Sequence, residues 1–169
     1  MAIVIRGATS CAICRKILQS NDEVIAFPAA FPNEASPLFL FHDTAVHVAC
    51  FCDHPLRQAV EERLADFRQR TGPGKRFCRV CGLEVLTPDE HLGLGHLTDD
   101  PTSSLHQYNY AHFHRTCFKE WPDSYQILTL LEAMVTAGTW RGVGSMFMIK
   151  DLKNLLFNKI KMATPDNSK

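Results

Sequence analysis

The sequence predicts an α+β chain made of two tandem copies of one small module, closed by a C-terminal helix. Three observations carry that prediction. An ungapped internal repeat runs through most of the 169 residues, each copy places short β-type runs ahead of helical patterns, and one more apolar helix pattern follows the second copy. The repeat is anchored by Cys11, Cys14, His47 and Cys50, which return as Cys78, Cys81, His114 and Cys117, each 67 residues later. Its register holds between the anchors: Asp22-Glu23 matches Asp89-Glu90, Ile25 matches Leu92, Phe41 matches Tyr108, Phe51 matches Phe118, and Pro55 matches Pro122. Val60, Leu64 and Phe67 match Ile127, Leu131 and Met134. The expected boundaries are a first module at 1–71, a linker at 72–76, a second module at 77–138, and a closing helix and tail at 139–169 that packs on the second module.

Within one module the CxxC sits in a tight turn, followed by a polar turn (Gln19 to Asp22; Thr87 to Asp89 in the copy). A β-type run follows, Glu23 to Phe27, weaker in the copy as Glu90 to Leu94. Past a loop rich in Pro, Ser and Asp, a second β-type run is expected at Leu38-Phe39-Leu40-Phe41, or Tyr108-Asn109-Tyr110. The HxxC pair falls on the first turn of a helix that Pro55 or Pro122 ends. The next helix of the first module carries Leu56, Val60, Leu64 and Phe67 as one apolar stripe, and Thr71-Gly72-Pro73-Gly74 stops it. Its counterpart, roughly 123–137, is apolar over a wider arc through Tyr125, Ile127, Leu128, Leu130, Leu131, Met134 and Val135, so it needs a cover. A last helix over about 146–162, with Ile149, Leu152, Leu155, Leu156 and Ile160, is expected to supply it, and Thr164 to Lys169 to fray.

The repeated cysteines and histidines have the chemistry of a metal site. Zinc takes four soft or borderline donors at tetrahedral angles, and structural sites draw them from Cys and His. Two cysteines two residues apart aim both sulfurs from one turn, and His and Cys at i and i+3 share a helix face. Three thiolates, a neutral imidazole and Zn²⁺ sum to one net negative charge, which the unpaired N–H groups of a helix start favour. A module of this size is marginal on apolar burial alone and gains most from such a staple. Two Zn²⁺ per chain are expected, one on Cys11, Cys14, His47 and Cys50, the other on Cys78, Cys81, His114 and Cys117. Buried free thiols or disulfides are the alternative for the same cysteines.

This arrangement resembles the treble-clef zinc fingers, in which a CxxC knuckle and a hairpin precede a helix bearing the second ligand pair. The resemblance covers 11–53 and 78–121, and CxxC…HxxC is also similar to the first half of a LIM domain, without the second half. The opening Ile5 to Cys14, with the HxxCF helix, resembles small, largely uncharacterised bacterial zinc proteins. Some proteins of that kind are antitoxins or immunity proteins, which implies a protein partner, a toxin among the candidates. The hairpin also resembles that of HNH endonucleases, which place a catalytic histidine there. His91, His96 and Asn109 are the residues concerned, with Glu90-His91 in place of the family's Asp-His pair and Val24 at the matching position of the first module.

Four protein ligands leave a zinc no open position for water or substrate, so the expectation is a non-enzymatic protein. His91, His96, His106 and His112 then read as solvated loop histidines. Cys52, matched by Lys119, lies outside the repeated design and reads as an ordinary packed residue. Formal net charge is zero, so no global field draws a polyanion. A nucleic-acid surface would have to come from Arg68, Arg70, Lys75 and Arg76 at the linker, or Lys150, Lys153, Lys159 and Lys161 on the last helix. A protein-binding role is favoured over it, presented by the loops 28–37 and 95–106. Phe27, Phe31, Phe39 and Trp140 would be its anchors if exposed, and core residues otherwise. Only a four-residue apolar stretch, Ala2 to Ile5, lies between the first Met and Arg6, and no run approaches a membrane span; with seven cysteines this points to a soluble, reducing, cytoplasmic setting and no membrane partner.

Overall fold

The computed structural model describes residues 2–157. Its elements follow in the order β1 (Val24–Ala26), β2 (Ala45–His47), α1 (Val48–Cys52), α2 (Arg57–Arg70), β3 (His91–Gly93), β4 (His112–His114), α3 (Arg115–Glu120), α4 (Ser124–Thr136) and α5 (Val143–Phe157). The chain is thus α+β, with two small antiparallel hairpins rather than one sheet.

The 67-residue repeat is reproduced at the level of single backbone bonds. Val24 pairs with His47 and His91 with His114. Cys11 N–H donates to Lys16 O at 2.8 Å, and Cys78 N–H to Leu83 O at 2.8 Å. Ala12 N–H reaches across to Ala45 O, as Arg79 N–H does to His112 O, tying each knuckle to the second strand of its hairpin. Even the left-handed residues coincide: Arg15 and Gly82 have φ of 65° and 74°, Asp43 and Tyr110 have 50° and 57°. Such angles are uncommon outside glycine, so their recurrence points to two turns of one design.

The expected second β-type runs are not strands. Pro37–Phe41 is a 3-10 helix, and its counterpart is the 3-10 turn His106–Tyr108. Ser36 caps the first by accepting from Leu38 N–H, and Pro37 starts it with a preset φ. Leu38 and Phe41, three apart, turn inward together while Phe39 is partly exposed, a three-residue period that an unbroken apolar run conceals. The strands that pair are Ala45–His47 and His112–His114, and they run straight into the ligand helices.

Each copy has its own core. In the first, Phe27, Phe41 and Phe51 pack edge to face with centroids 5.1 to 5.7 Å apart, over Val60 and Leu64 of α2. In the second, Phe113, Phe118 and Trp121 form the matching cluster, with Ile127, Leu128 and Leu131 of α4 behind it. Helix α5 packs on α4 and α3, burying Leu152 and Leu156, as the wide apolar arc of α4 requires. Ile160, Lys159, Lys161 and the tail lie outside the described residues.

The loops 28–37 and 95–106 face each other rather than a partner. Asn33, 2% exposed, donates through Nδ2 to Leu97 O and Thr139 O and accepts at Oδ1 from Ala35 and Arg141 N–H. Ser36 Oγ donates to Asp99 Oδ2 at 2.5 Å, and Tyr110 O–H to Ala30 O at 3.0 Å. Helix α2 joins in: Phe67 meets Tyr110 edge to face, and Arg63 Nη2 stands 3.2 Å from His106 Nε2. The reason is compositional, since Ala30, Phe31, Leu97 and Leu105 are apolar residues within those loops and are fully or almost fully buried. Phe27, Phe31 and Trp140 are core as well, whereas Phe39 is partly exposed.

Candidate metal centres

Three pieces of chain build each cluster. The knuckle supplies Cys11 and Cys14 from one turn, the end of β2 supplies His47, and α1 supplies Cys50. The second copy uses Cys78 and Cys81, His114 at the end of β4, and Cys117 in α3. In each set the ligand atoms all lie within 4.8 Å of one another, so each set could hold one metal ion. Nδ1 is the inward nitrogen of both imidazoles. His47 Nδ1 stands 3.4 Å from Cys14 Sγ and 3.8 Å from Cys50 Sγ; His114 Nδ1 stands 3.4 Å from Cys81 Sγ and 3.9 Å from Cys117 Sγ. Tetrahedral zinc with ordinary bond lengths sets sulfur and nitrogen about 3.5 Å apart. The donors therefore fit that ion in type and in spacing.

The backbone prepares the sulfurs for the metal. Burial would raise the Cys11 thiol, but N–H groups of Cys14, His47 and Ile13 outweigh it and pull the thiol down to about 6. Cys78 is brought to about 6 by the matching groups of Cys81, His114 and Val80, again against burial. Cys50 and Cys117 are pushed up to about 11, first by burial and then by the neighbouring sulfurs of their own clusters. A dication among the sulfurs reverses that last effect, so metal uptake releases protons and strengthens as pH rises.

Around the ligands the copies diverge. His47 Nε2 is 3.1 Å from Asp22 Oδ2, and the same oxygen accepts from Gln19 N–H at 2.6 Å. A carboxylate on the outer nitrogen fixes the tautomer that leaves Nδ1 free for a metal. In the second copy Asp89 makes no such bond: among the described residues His114 Nε2 has no hydrogen-bond partner, and Glu90 accepts instead from Thr87 Oγ1. Cys81 is exposed where Cys14 is half-buried. Asp22 was not singled out from the sequence, although its place in the polar turn just before the strand that pairs with His47 is a usable signal.

The remaining singled-out residues behave differently from their sequence reading. His96 is fully buried, with Nε2 2.8 Å from Asp99 Oδ1 but without the alignment of a hydrogen bond. His112 is also buried, bonded through Nε2 to Arg70 O at 2.9 Å and lying 2.8 Å from His91 Nε2 through Nδ1. Only His91 and His106 keep partial exposure, and burial lowers the affinity of both for a proton. His96 and His112 are not solvated, because the facing loops and the end of α2 cover them. Asn109, fully buried, accepts from Leu97 and Thr98 N–H and donates to Thr98 O, which makes it a brace for the loop. Cys52 is exposed rather than packed, since α1 turns its ligand face inward at Cys50 and carries Cys52 outward two residues later. Among the described residues no helix is long and apolar enough to cross a membrane. No family model, curated protein or solved structure matches the chain.

Proposed function

We propose that the chain is a non-enzymatic, zinc-stabilised protein-binding module, built from two treble-clef fingers and acting as an adaptor or as a neutralising protein for a partner such as a toxin. The observation that supports it most is the convergence of four protein donors in each cluster. A tetrahedral zinc held this way is saturated, so its work is to hold a small hairpin and helix together. Knuckle, hairpin and ligand helix follow one another in the treble-clef order in both copies. Of the residues with a nuclease resemblance, Asn109 supports this reading too, because its side chain is spent on backbone groups of its own loop.

Elemental analysis of the folded chain should return two zinc ions, and chelation should abolish the hairpin and ligand-helix signals in the far ultraviolet. Fewer than two zinc ions in folded protein would overturn the ligand assignment. Metal-dependent cleavage of DNA or RNA that His91→Ala abolishes would overturn the non-enzymatic reading.

A further inference from the structure

We infer that the second knuckle and the linker before it form a docking groove for an acidic, apolar-containing segment of a partner protein. The inference rests on the protein-binding reading above and names the chemistry of the partner.

The first observation is a difference between the copies. Phe77, Val80, Leu83 and Leu86 are 54, 41, 67 and 77% exposed, all within one knuckle. Their counterparts in the first copy are Ser10, Ile13, Lys16 and Gln19, and that knuckle exposes one apolar residue, Ile17 at 45%, so a set of four is no requirement of the knuckle itself. Val85, in the middle of the set, is buried, as is its counterpart Leu18. The fold thus uses one apolar position of this segment and leaves the others to solvent. Single exposed apolar residues need no explanation, but a cluster of four on a metal-held turn does.

The second observation is charge. Between Asp66 and Glu84 the chain carries Arg68, Arg70, Lys75, Arg76 and Arg79 and no carboxylate, in a protein of zero net charge. Arg70 is committed to Asp66 at 2.6 Å. Among the described residues, Arg68, Lys75, Arg76 and Arg79 make no ion pair. Lys75 instead donates to Arg68 O, and Arg79 to Gln107 Oε1 while lying over the Tyr108 ring. Neutral partners hold Lys75 and Arg79 in place without cancelling their charge.

Phe77, Lys75 and Arg79 line one groove of about 390 Å³, with Arg70, Tyr110 and His112 and no carboxylate in its wall; Arg76, Val80, Leu83 and Leu86 are exposed on the same linker and knuckle outside that wall. Its base is stiff, because Arg79 N–H bonds His112 O and Cys78 and Cys81 on either side belong to the second metal cluster. A rigid apolar ridge beside uncompensated cations complements a segment that alternates carboxylates with apolar side chains. Nucleic acid fits less well. Three of the four exposed apolar groups are aliphatic and offer no face for base stacking.

The test uses the zinc-loaded full chain and a fluorescein-labelled peptide alternating Glu with Leu and Phe. Comparators are the same peptide with Lys for Glu, the same with Ser for Leu and Phe, an oligothymidylate, and phosphatidylserine-containing vesicles. The acidic apolar peptide should bind in preference to the comparators. Lys75→Glu with Arg79→Glu, and separately Phe77→Ser, which restores the residue of the first knuckle, should each raise its Kd by about tenfold or more. Lys16→Ala on the first knuckle should leave Kd unchanged. All substituted side chains are at the surface, and retention of two zinc ions confirms that each variant is folded. Absence of peptide binding, or binding that the groove variants leave intact, overturns the inference. Binding of the Lys peptide at a site those variants do not affect overturns the groove alone and leaves the protein-binding reading standing. If only the oligothymidylate or the vesicles bind, with groove-variant sensitivity and no peptide binding, both readings fall.

Discussion

The two modules share a backbone and differ in almost everything hung upon it. Ladder register, knuckle bonds and left-handed residues coincide at the 67-residue offset, and so do the sulfur–nitrogen distances of the two clusters. Yet the first histidine is backed by a carboxylate and the second is not. The helix after the first ligand helix is polar outside and borrows the second module as its cover, whereas α4 is apolar and is covered by α5. The first knuckle shows Ser10 and Lys16 to solvent where the second shows Phe77 and Leu83. The difference teaches which parts the metal fixes. Geometry within each donor cluster is held constant in both copies, and the rest of each surface is free to specialise.

The strongest way to break the comparison is to remove one ligand from each copy in turn. Cys11→Ser and Cys78→Ser each delete a buried sulfur that backbone N–H groups address. Zinc supplies roughly 10–16 kcal/mol of apparent free energy in finger-sized peptides, far beyond what a small module stores in its own core. Each variant should lose one zinc per chain and the cooperative unfolding of its own module, read by elemental analysis and calorimetry. If either variant kept two zinc ions and the wild-type transition, the metal would not be what holds that module together.

A smaller effect comes from separating the modules without touching either cluster. Asn33 bonds four backbone groups that belong to both copies and is almost completely buried. Asn33→Ala leaves the Leu97 and Thr139 carbonyls and the Ala35 and Arg141 N–H groups to find water, at a cost of about 2–4 kcal/mol. Calorimetry should then resolve two transitions where the wild type gives one. A single unchanged transition would mean that the apolar contacts of Phe31, Leu97 and Tyr110 suffice to couple the copies.

The physical reach of each feature decides how much of it the sequence makes legible. The eight metal-site residues are readable because both pairs are local, two sulfurs in one turn and His with Cys three apart. Helices α2, α4 and α5 are readable from apolar periodicity, and the break at Pro55 and Pro122 from proline's missing N–H. The 3-10 turn at Pro37–Phe41 is hidden because a run of apolar residues suits either a strand or a tight helix until Ser36 is seen capping it. The docking of the loops is hidden for a different reason. Asn33 satisfies itself on Leu97, Thr139 and Arg141, and nothing within a local window announces partners so far away. That blindness is why His96 and His112 read as solvated, and why two loops read as free for a partner.

The first site's extra carboxylate gives the next effect in size. Asp22→Asn keeps the shape and replaces the charged acceptor on His47 Nε2 with a neutral one. Loss of such an outer partner typically weakens metal affinity by about 10–100-fold. In the wild type a colorimetric chelator should therefore draw zinc in two phases, the faster from the second site, where His114 lacks that partner and Cys81 is exposed. Asp22→Asn should bring the slow phase towards the fast one. Equal rates in the wild type would mean that solvent access and the carboxylate do not govern release.

The smallest expected effect tests whether α5 belongs to the second module's frame or merely lies on it. Arg115, the first residue of α3 and the neighbour of His114, holds Asp151 of α5 through two bonds at 2.6 and 2.8 Å. The pair is bidentate but half open to water, so its worth is about 1 kcal/mol and falls with salt. In the Asn33→Ala background, where the two transitions separate, Arg115→Ala should lower the second module's transition slightly at low ionic strength, with the deficit shrinking as salt is added. The first module offers the control. Its counterpart to Arg115 is Val48, which has no charge to pair, so the substitution should leave that transition in place at every salt concentration. A deficit that persists at high salt would mean that the Arg115 stem acts by packing, and that α5 is part of the core that the metal orders.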